Sequence, residues 1–260
     1  MMKKIALATV LVSLSVASAF AADLPARSPY TKAPMLSPAS NWSGFYTGVN
    51  IGYGWGNDNT DFVAVPNEVA LGFQNSTLNS DPKGVLGGAQ IGYNWQAGSL
   101  VTGLEADIQG SAIHGSATGP LTFSDDGTLS PFGSRASDEK LSWFGTVRGR
   151  LGITVTPELM LYGTGGLAYG RIQTSATTNV GFGAEFISNV SQLKAGWTAG
   201  GGAEWAFARN WSAKVEYLFV DLGTVSASGP SNVVGNTNLI ASTWRLHDNI
   251  VRVGVNYHFN

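Results

Sequence analysis

The chain has 260 residues, 15 Lys and Arg against 17 Asp and Glu, and no Cys. A charged share of 12% is about half the usual level and 34 Gly is nearly double it. So little charge leaves a soluble domain short of surface cover, and a formal charge of −2 excludes the basic surface that nucleic acid requires.

Residues 1–21 read as a secretory signal peptide. Lys3 and Lys4 precede the short apolar run Ile5 to Val16, and Ala19-Phe20-Ala21 sets cleavage between Ala21 and Ala22. Removing the two lysines takes the formal charge from −2 to −4. Residues 22–40, punctuated by Pro25, Pro29, Pro34 and Pro38, read as an extended periplasmic linker. Past the start no run of about 18 apolar residues occurs, so no transmembrane helix is predicted. The absence of Cys removes disulfides as a support for an exported chain.

From residue 41 to 260 the pattern has a period of two, the strand period. It predicts eight strands near 42–55, 84–96, 99–112, 140–154, 158–172, 193–207, 211–222 and 249–259. The first sets Phe45, Thr47, Val49, Ile51, Tyr53 and Trp55 against Gly44, Tyr46, Gly48, Asn50, Gly52 and Gly54. The third sets Leu100, Leu104 and Ile108 against Glu105, Asp107 and Gln109; the fourth sets Leu141, Trp143, Val147 and Leu151 against Arg148 and Arg150. Alternation is weakest in the fifth, through Gly163-Thr164-Gly165-Gly166, and its register stays open. The last sets Val251, Val253, Val255, Tyr257 and Phe259 against Arg252, Gly254, Asn256 and His258.

Tight turns are expected at Ala97-Gly98, Val155-Thr156-Pro157 and Ala208-Arg209-Asn210. The other connections, 57–83, 113–139, 173–192 and 223–248, each run to about 20 residues or more and read as loops. Strict alternation of short and long connections describes an all-β, eight-stranded antiparallel up-and-down transmembrane β-barrel, with short periplasmic turns and long external loops.

Directions then sort the aromatics into two membrane-interface belts. Trp42, Tyr93, Trp95, Trp205, Phe207, Trp211, Tyr257 and Phe259 fall at the periplasmic rim. Tyr53, Trp55, Trp143, Tyr169, Trp197 and Phe219 fall at the other. The polar faces place Glu105, Asp107, Glu204 and Glu216 opposite Arg148, Arg150, Lys214 and Arg252 inside. Eight strands leave room only for side chains, and buried charge there must be paired. The expectation is a lumen filled by ion pairs.

With these features in place, the chain resembles the outer-membrane immunogenic-protein family of Gram-negative bacteria, whose fold is similar to the eight-stranded OmpA-type barrel. The resemblance spans about residues 40–259. It rests on Asn41-Trp42-Ser43-Gly44-Phe45-Tyr46, Gly52-Tyr53-Gly54-Trp55, Gly88-Ala89-Gln90-Ile91-Gly92-Tyr93-Asn94-Trp95 and the closing Val251-to-Phe259 strand. It implies an abundant surface antigen that supports envelope integrity, with no established reaction. It also implies outer-membrane lipids and lipopolysaccharide as surroundings, and a terminal strand read by the barrel-assembly machinery, here with Asn260 after Phe259.

Other readings are a small-solute porin, an outer-membrane lipid-modifying enzyme, and a soluble ligand-binding barrel with its faces inverted. No catalytic residue, metal site or cofactor is predicted. Glu105 with Asp107 is read as ion-pair material, and no His–Ser–acid group is expected to cluster at one rim. The charged residues of the long connections, including Asp58, Asp61, Glu68, Asp81, Asp125, Asp126, Asp138, Glu139, Glu185, Lys83, Arg135, Lys140 and Arg245, are expected to be solvated. A sharper expectation has cations bridging these carboxylates to lipid phosphates.

Overall fold

The structure is a computed structural model in which residues 41–64, 75–125, 128–180, 184–230, 232 and 239–259 are described. The expected signal peptide, its cleavage site, the linker, Glu68 and Asp126 lie outside the described residues.

Ten strands are described: β1 (Gly44–Gly56), β2 (Asp58–Ala64), β3 (Ser76–Ser80), β4 (Lys83–Ala97), β5 (Leu100–Asp125), β6 (Thr128–Thr156), β7 (Leu159–Asn179), β8 (Glu185–Ala208), β9 (Trp211–Pro230) and β10 (Leu239–His258). β1 and β4 to β10 form one antiparallel ring. It closes where β1 pairs with β10, from Tyr46 opposite His258 to Gly56 opposite Asp248. The Phe259 amide extends the seam by donating to the Phe45 carbonyl at 2.9 Å. β2 and β3 form an inserted hairpin, with β2 alongside the far end of β10. The tight turns fall at Gly98-Ser99, Pro157-Glu158 and Arg209-Asn210. Gly98 has φ of 64°, the left-handed region that a two-residue hairpin asks for at no cost to glycine.

The long connections differ from expectation. β5 and β6 continue past the ring's outer rim as a ladder in which Ile113 to Asp125 pairs with Thr128 to Leu141. Residues 173–179 pair with 185–191, and 224–230 with 239–245. These stretches are Ser-, Thr- and Gly-rich, so they read as loops by composition. Backbone pairing needs no apolar residue, and their alternation is carried by small side chains.

The ladders are also where the faces exchange character. Ile108, Trp143 and Phe219 point out of the barrel, whereas Ile113, Leu141 and Val225 point in and are buried. A β-bulge separates Leu141 from Trp143, and another beside Gly223, which has φ of 74°, separates Phe219 from Val225; β5 keeps its odd-numbered residues inside throughout, so Ile108 and Ile113 differ by ordinary alternation. One extra residue in a strand flips every later side chain to the other face. Leu141, expected on the outer face, is inside for this reason. The interior therefore has two layers, a polar one between the turns and the bulges and an apolar one beyond. The apolar layer contains Phe62, Ile113, Phe144, Ile172, Phe186 and Trp244.

The fifth predicted strand also settles. On β7 Leu161, Gly163, Gly165 and Leu167 face out, and Tyr162, Thr164, Gly166 and Ala168 face in. Glycines on both faces hide this alternation in the sequence.

Two aromatic rings cross the lumen only because glycine faces them. A methyl group on Gly92 would lie 2.4 Å from the Tyr46 ring, and one on Gly202 would lie 2.8 Å from the Tyr162 hydroxyl. Gly92→Val is expected to destabilise the barrel by about 1–3 kcal/mol through overpacking. Gly149→Val faces out with nothing nearer than 3.9 Å and is expected to be tolerated. Unfolding midpoints in urea would compare them; equal midpoints would refute the steric account.

Candidate functional site

The polar layer is built from alternate residues of β1, β5, β6, β8, β9 and β10, which all point inward because their partners point out. It brings together all eight charged residues expected inside, each buried. Arg148 is the hub. Its guanidinium contacts Glu105 and lies 3.0 Å from both Asp107 and Glu216. Arg252 lies 3.0 Å from Asp107 and 2.6 Å from Glu216. Lys214 lies 2.9 Å from Glu105, and Arg150 lies 2.6 Å from Glu204. Four acids and four bases thus lock β5, β6, β8, β9 and β10 across the lumen.

Neutral groups complete the layer, and sequence reasoning missed their part. The Tyr46 hydroxyl donates to Glu105 at 2.8 Å and accepts from Arg150 at 3.1 Å. Tyr162 donates to Glu216 at 3.1 Å while its ring sits 4.0 Å beneath the Arg150 guanidinium. Thr146 donates to Asp107 at 2.8 Å. Below, Asn256 donates to Glu204 at 2.7 Å and accepts from Gln90, which in turn accepts from Asn50. The available signal was Tyr46 and Tyr162 lying on strand faces otherwise filled by glycine and small or polar residues.

At the turn-side rim the structure corrects two expectations. Trp42, expected among the interface aromatics, is inside and 2% exposed. Its indole N–H donates to the Pro157 carbonyl at 3.1 Å, and the ring packs edge-on against His258. It shares the even parity of Gly44 and Tyr46, the inward face of the first strand, and caps the lumen; its place at the rim suggested the belt, but alternation points it inside. Ser212, His258 and Glu204 do come together, contrary to expectation. Ser212 donates to Glu204 at 2.6 Å, and both approach the same His258 nitrogen, Nε2, at 2.9 and 3.5 Å. A relay needs the acid on Nδ1 and the hydroxyl on Nε2. With Ser212 and Glu204 wholly buried, the group reads as part of the packing.

Beyond the aromatic rings of the outer rim, three residues expected to be solvated are buried: Asp58, Glu139 and Arg135. The Arg135 guanidinium stacks over Phe62 and donates to Ser76. Asp58 and Glu139 meet Asp248 in a small cavity roofed by Ile113, Leu141, Leu222 and Leu246. Ser80 donates to Glu139, and His247 Nδ1 lies 3.2 Å from Asp58. Burial first, then the neighbouring Glu139 charge, pushes Asp58 up to about 9 and Asp248 up to about 7; burial also raises Glu139. Asp61 and Glu185 are half-buried, whereas Asp81, Asp138, Lys83, Lys140 and Arg245 are exposed. The side chain of Asp125 lies outside the described residues.

The outer face of the ring is apolar: Val49, Ile51, Leu104, Val147, Leu151, Leu167, Val215 and Val253 all point away from the barrel. Tyr93, Trp95, Trp205, Phe207, Trp211, Tyr257 and Phe259 form contacting pairs at the turn-side end. Tyr53, Trp55, Trp143, Tyr169, Trp197 and Phe219 gather at the other. Trp197 and Trp205 both face out of β8, eight residues apart, which is roughly 20 Å at a strand tilt of about 40°. A closed ring that is greasy outside, ionic inside and belted by aromatics defines a transmembrane β-barrel.

A family model described as "Outer membrane protein beta-barrel domain" matches residues 6–259, and the chain belongs to that family. It is an outer-membrane protein. It is 38% identical over 262 residues to the 31 kDa outer-membrane immunogenic protein of Brucella melitensis biotype 1, covering 99% of this chain and all of that one. It is 28% identical over 245 residues to the 25 kDa outer-membrane immunogenic protein of Brucella abortus biovar 1, covering 94% and 92%. Among solved structures it is similar to the outer membrane protein OprG of Pseudomonas aeruginosa, with a TM-score of 0.49 and 12% identity over 85% of this chain and 99% of that one.

Two outcomes are expected. Arg148→Met leaves Glu105, Asp107 and Glu216 short of a partner and should cost about 3–5 kcal/mol in urea unfolding; a change below 1 kcal/mol, a surface-pair value, would contradict the hub role. For the outer acids, a folded-state value above the unfolded one means stability present at pH 4 and lost as pH rises through about 7 to 9. Asp248→Asn should therefore raise the unfolding midpoint at pH 8 and leave it unchanged near pH 4. An equal effect at both would contradict the burial of that carboxyl.

Proposed function

We propose that the protein is a structural barrel and surface antigen that supports envelope integrity and keeps its own lumen shut. The observation that carries this reading is the ion-pair layer. Arg148 and Arg252 each reach carboxylates from more than one strand, so side chains from opposite walls meet in the middle. A solute path would have to break several buried pairs at once, each worth several kcal/mol when one partner is removed. Above it, the apolar layer around Phe144, Trp244 and Ile113 gives a second seal.

The antigen part of the reading leans on the Brucella relatives, which are named immunogenic proteins, and on the ladders that stand clear of the aromatic belts. The seam of β10 against β1 suits delivery of the last strand by the assembly machinery, since it is the pairing that closes the ring.

Planar-bilayer recording of the purified protein is expected to give no stable, ohmic channel, and deletion of the gene is expected to raise leakage of periplasmic enzymes and detergent sensitivity. A steady conductance that survives in a purified monomer would favour a small-solute porin instead.

A further inference from the structure

Outside the barrel, just beyond the upper aromatic belt, four basic side chains stand on four consecutive strands of the ring. Lys83 on β4 is opposite Trp55 of β1 and opposite His114 of β5. His114 is in turn opposite Lys140 of β6, and Arg171 of β7 is opposite Trp143 of β6. All four are exposed, and all share the outer face with the belt residues Trp55, Trp143 and Tyr169. The bulge at Ser142 matters here: it turns Leu141 inward, so Lys140 and Trp143 both face out.

The placement is not an even scatter of surface charge. On this side the outward acids near the row are Asp138, 3.8 Å from His114, and Asp81 in the turn before β4. The opposite side carries Asp61 on β2 and Asp221 on β9, beside Arg245 and His247 on β10. Between β5 and β8 the outer wall is also hollowed. A depression of about 470 Å³ is lined by His114, Asp138, Lys140, Gln173, Ser175, Asn189 and Ser191. It offers amide and hydroxyl groups next to the cations, with hydrocarbon-facing aromatics directly below.

We infer that Lys83, His114, Lys140 and Arg171 form a docking row for the phosphate groups of outer-leaflet lipids, with the polar hollow that His114 and Lys140 border taking the sugar or glycerol part of the headgroup. The inference rests on the outer-membrane reading and deepens its lipid contact. Height decides the ligand class. A group bound here is held by the belt at the boundary between acyl chains and water, where a lipid's phosphate sits and a soluble anion has no reason to stay. Cations at a membrane surface attract anionic lipid, so Lys83, Lys140 and Arg171 on one side, with the His114 ring between them, give a preference for that side's lipids as well as for charge. Of the carboxylates expected to bridge cations to lipid phosphates, Asp58 and Glu139 face the interior, whereas Asp81 and Asp138 stay outside beside the row.

The test uses the full mature chain in vesicles of phosphatidylcholine, with or without a phosphatidic acid fraction. Heat-modifiable gel migration and protease protection first confirm insertion in both; failure to insert in either would sink the membrane reading itself. Acetylation of lysines by a water-soluble reagent is then read residue by residue. Lys83 and Lys140 are expected to be protected several-fold when phosphatidic acid is present. Lys194, whose ammonium is held on the Thr224 carbonyl at 2.6 Å, is expected to show no change. Inorganic phosphate added to phosphatidylcholine vesicles is expected to give no protection. In a K83Q/K140Q/R171Q variant, the rise in unfolding midpoint that phosphatidic acid gives the wild type should disappear. Equal acetylation in both vesicle types would overturn the inference. So would equal protection by free phosphate, which would make the ligand a soluble anion. The acetylation arm needs no variant, so the inference stays falsifiable even if the triple change impairs folding.

Discussion

The constraint on which this structure depends is that hydrocarbon offers no partner for a backbone N–H or C=O. In that medium a sheet survives only with no free edge, and the pairing of β1 with β10 removes the edge. Once the ring is shut, side-chain alternation fixes everything else. One residue in two meets lipid and must be apolar, and its neighbour meets seven other strands in a lumen too narrow for bulk water. Charges in that space are held only by one another. Arg148 contacts three carboxylates because each of those carboxylates also needs a cation. The cross-links that result tie opposite walls together, so the same residues that make the interior polar also make it closed.

Where the strands leave the membrane the rule reverses, and in β6 and β9 a bulge turns the faces over to meet it. Beyond the membrane water is outside, so the apolar side chains belong inside; a single extra residue accomplishes this in β6 and in β9, whereas β5, β7, β8 and β10 keep one inward face and change its composition from polar to apolar. Lys140 and Trp143 both pointing outward, with Leu141 turned in, is the local signature. Asp58, Glu139 and Asp248 sit at this boundary, above the ionic layer that could have paired them and beneath apolar residues that keep water out. Their raised protonation follows from that position.

Much of the fold was legible because a period of two is hard to disguise over eight strands. The faces of β1, β4, β8 and β10, the tight turns and the charged set inside follow from alternation plus the length of the connections. What was illegible has physical reasons. Trp42 looks like a belt residue because it sits at the rim, although its even parity with Gly44 and Tyr46 already points it inward. Leu141 looks outward because a bulge leaves no residue-type mark beyond an unremarkable Ser142. The ladders past the rim look like loops because Ser, Thr and Gly pair their backbones as well as Val does but show no apolar stripe. Alternation puts Tyr46 on the inner face but leaves Tyr162 open with the register of its strand, and the role of both depends on Gly92 and Gly202 lying across from them, a distance that only coordinates supply.

The chain contains no Cys, which allows a direct measurement of the central claim, that apolar residues face lipid and ionic ones face each other. Single cysteines placed along β9 at Ser212, Ala213, Val215, Glu216, Tyr217 and Leu218 can be spin-labelled in lipid vesicles and probed with oxygen, which concentrates in acyl chains. The account predicts high oxygen access at positions 213, 215 and 217 and low access at 212, 216 and 218. Uniform access, or the opposite alternation, would contradict it.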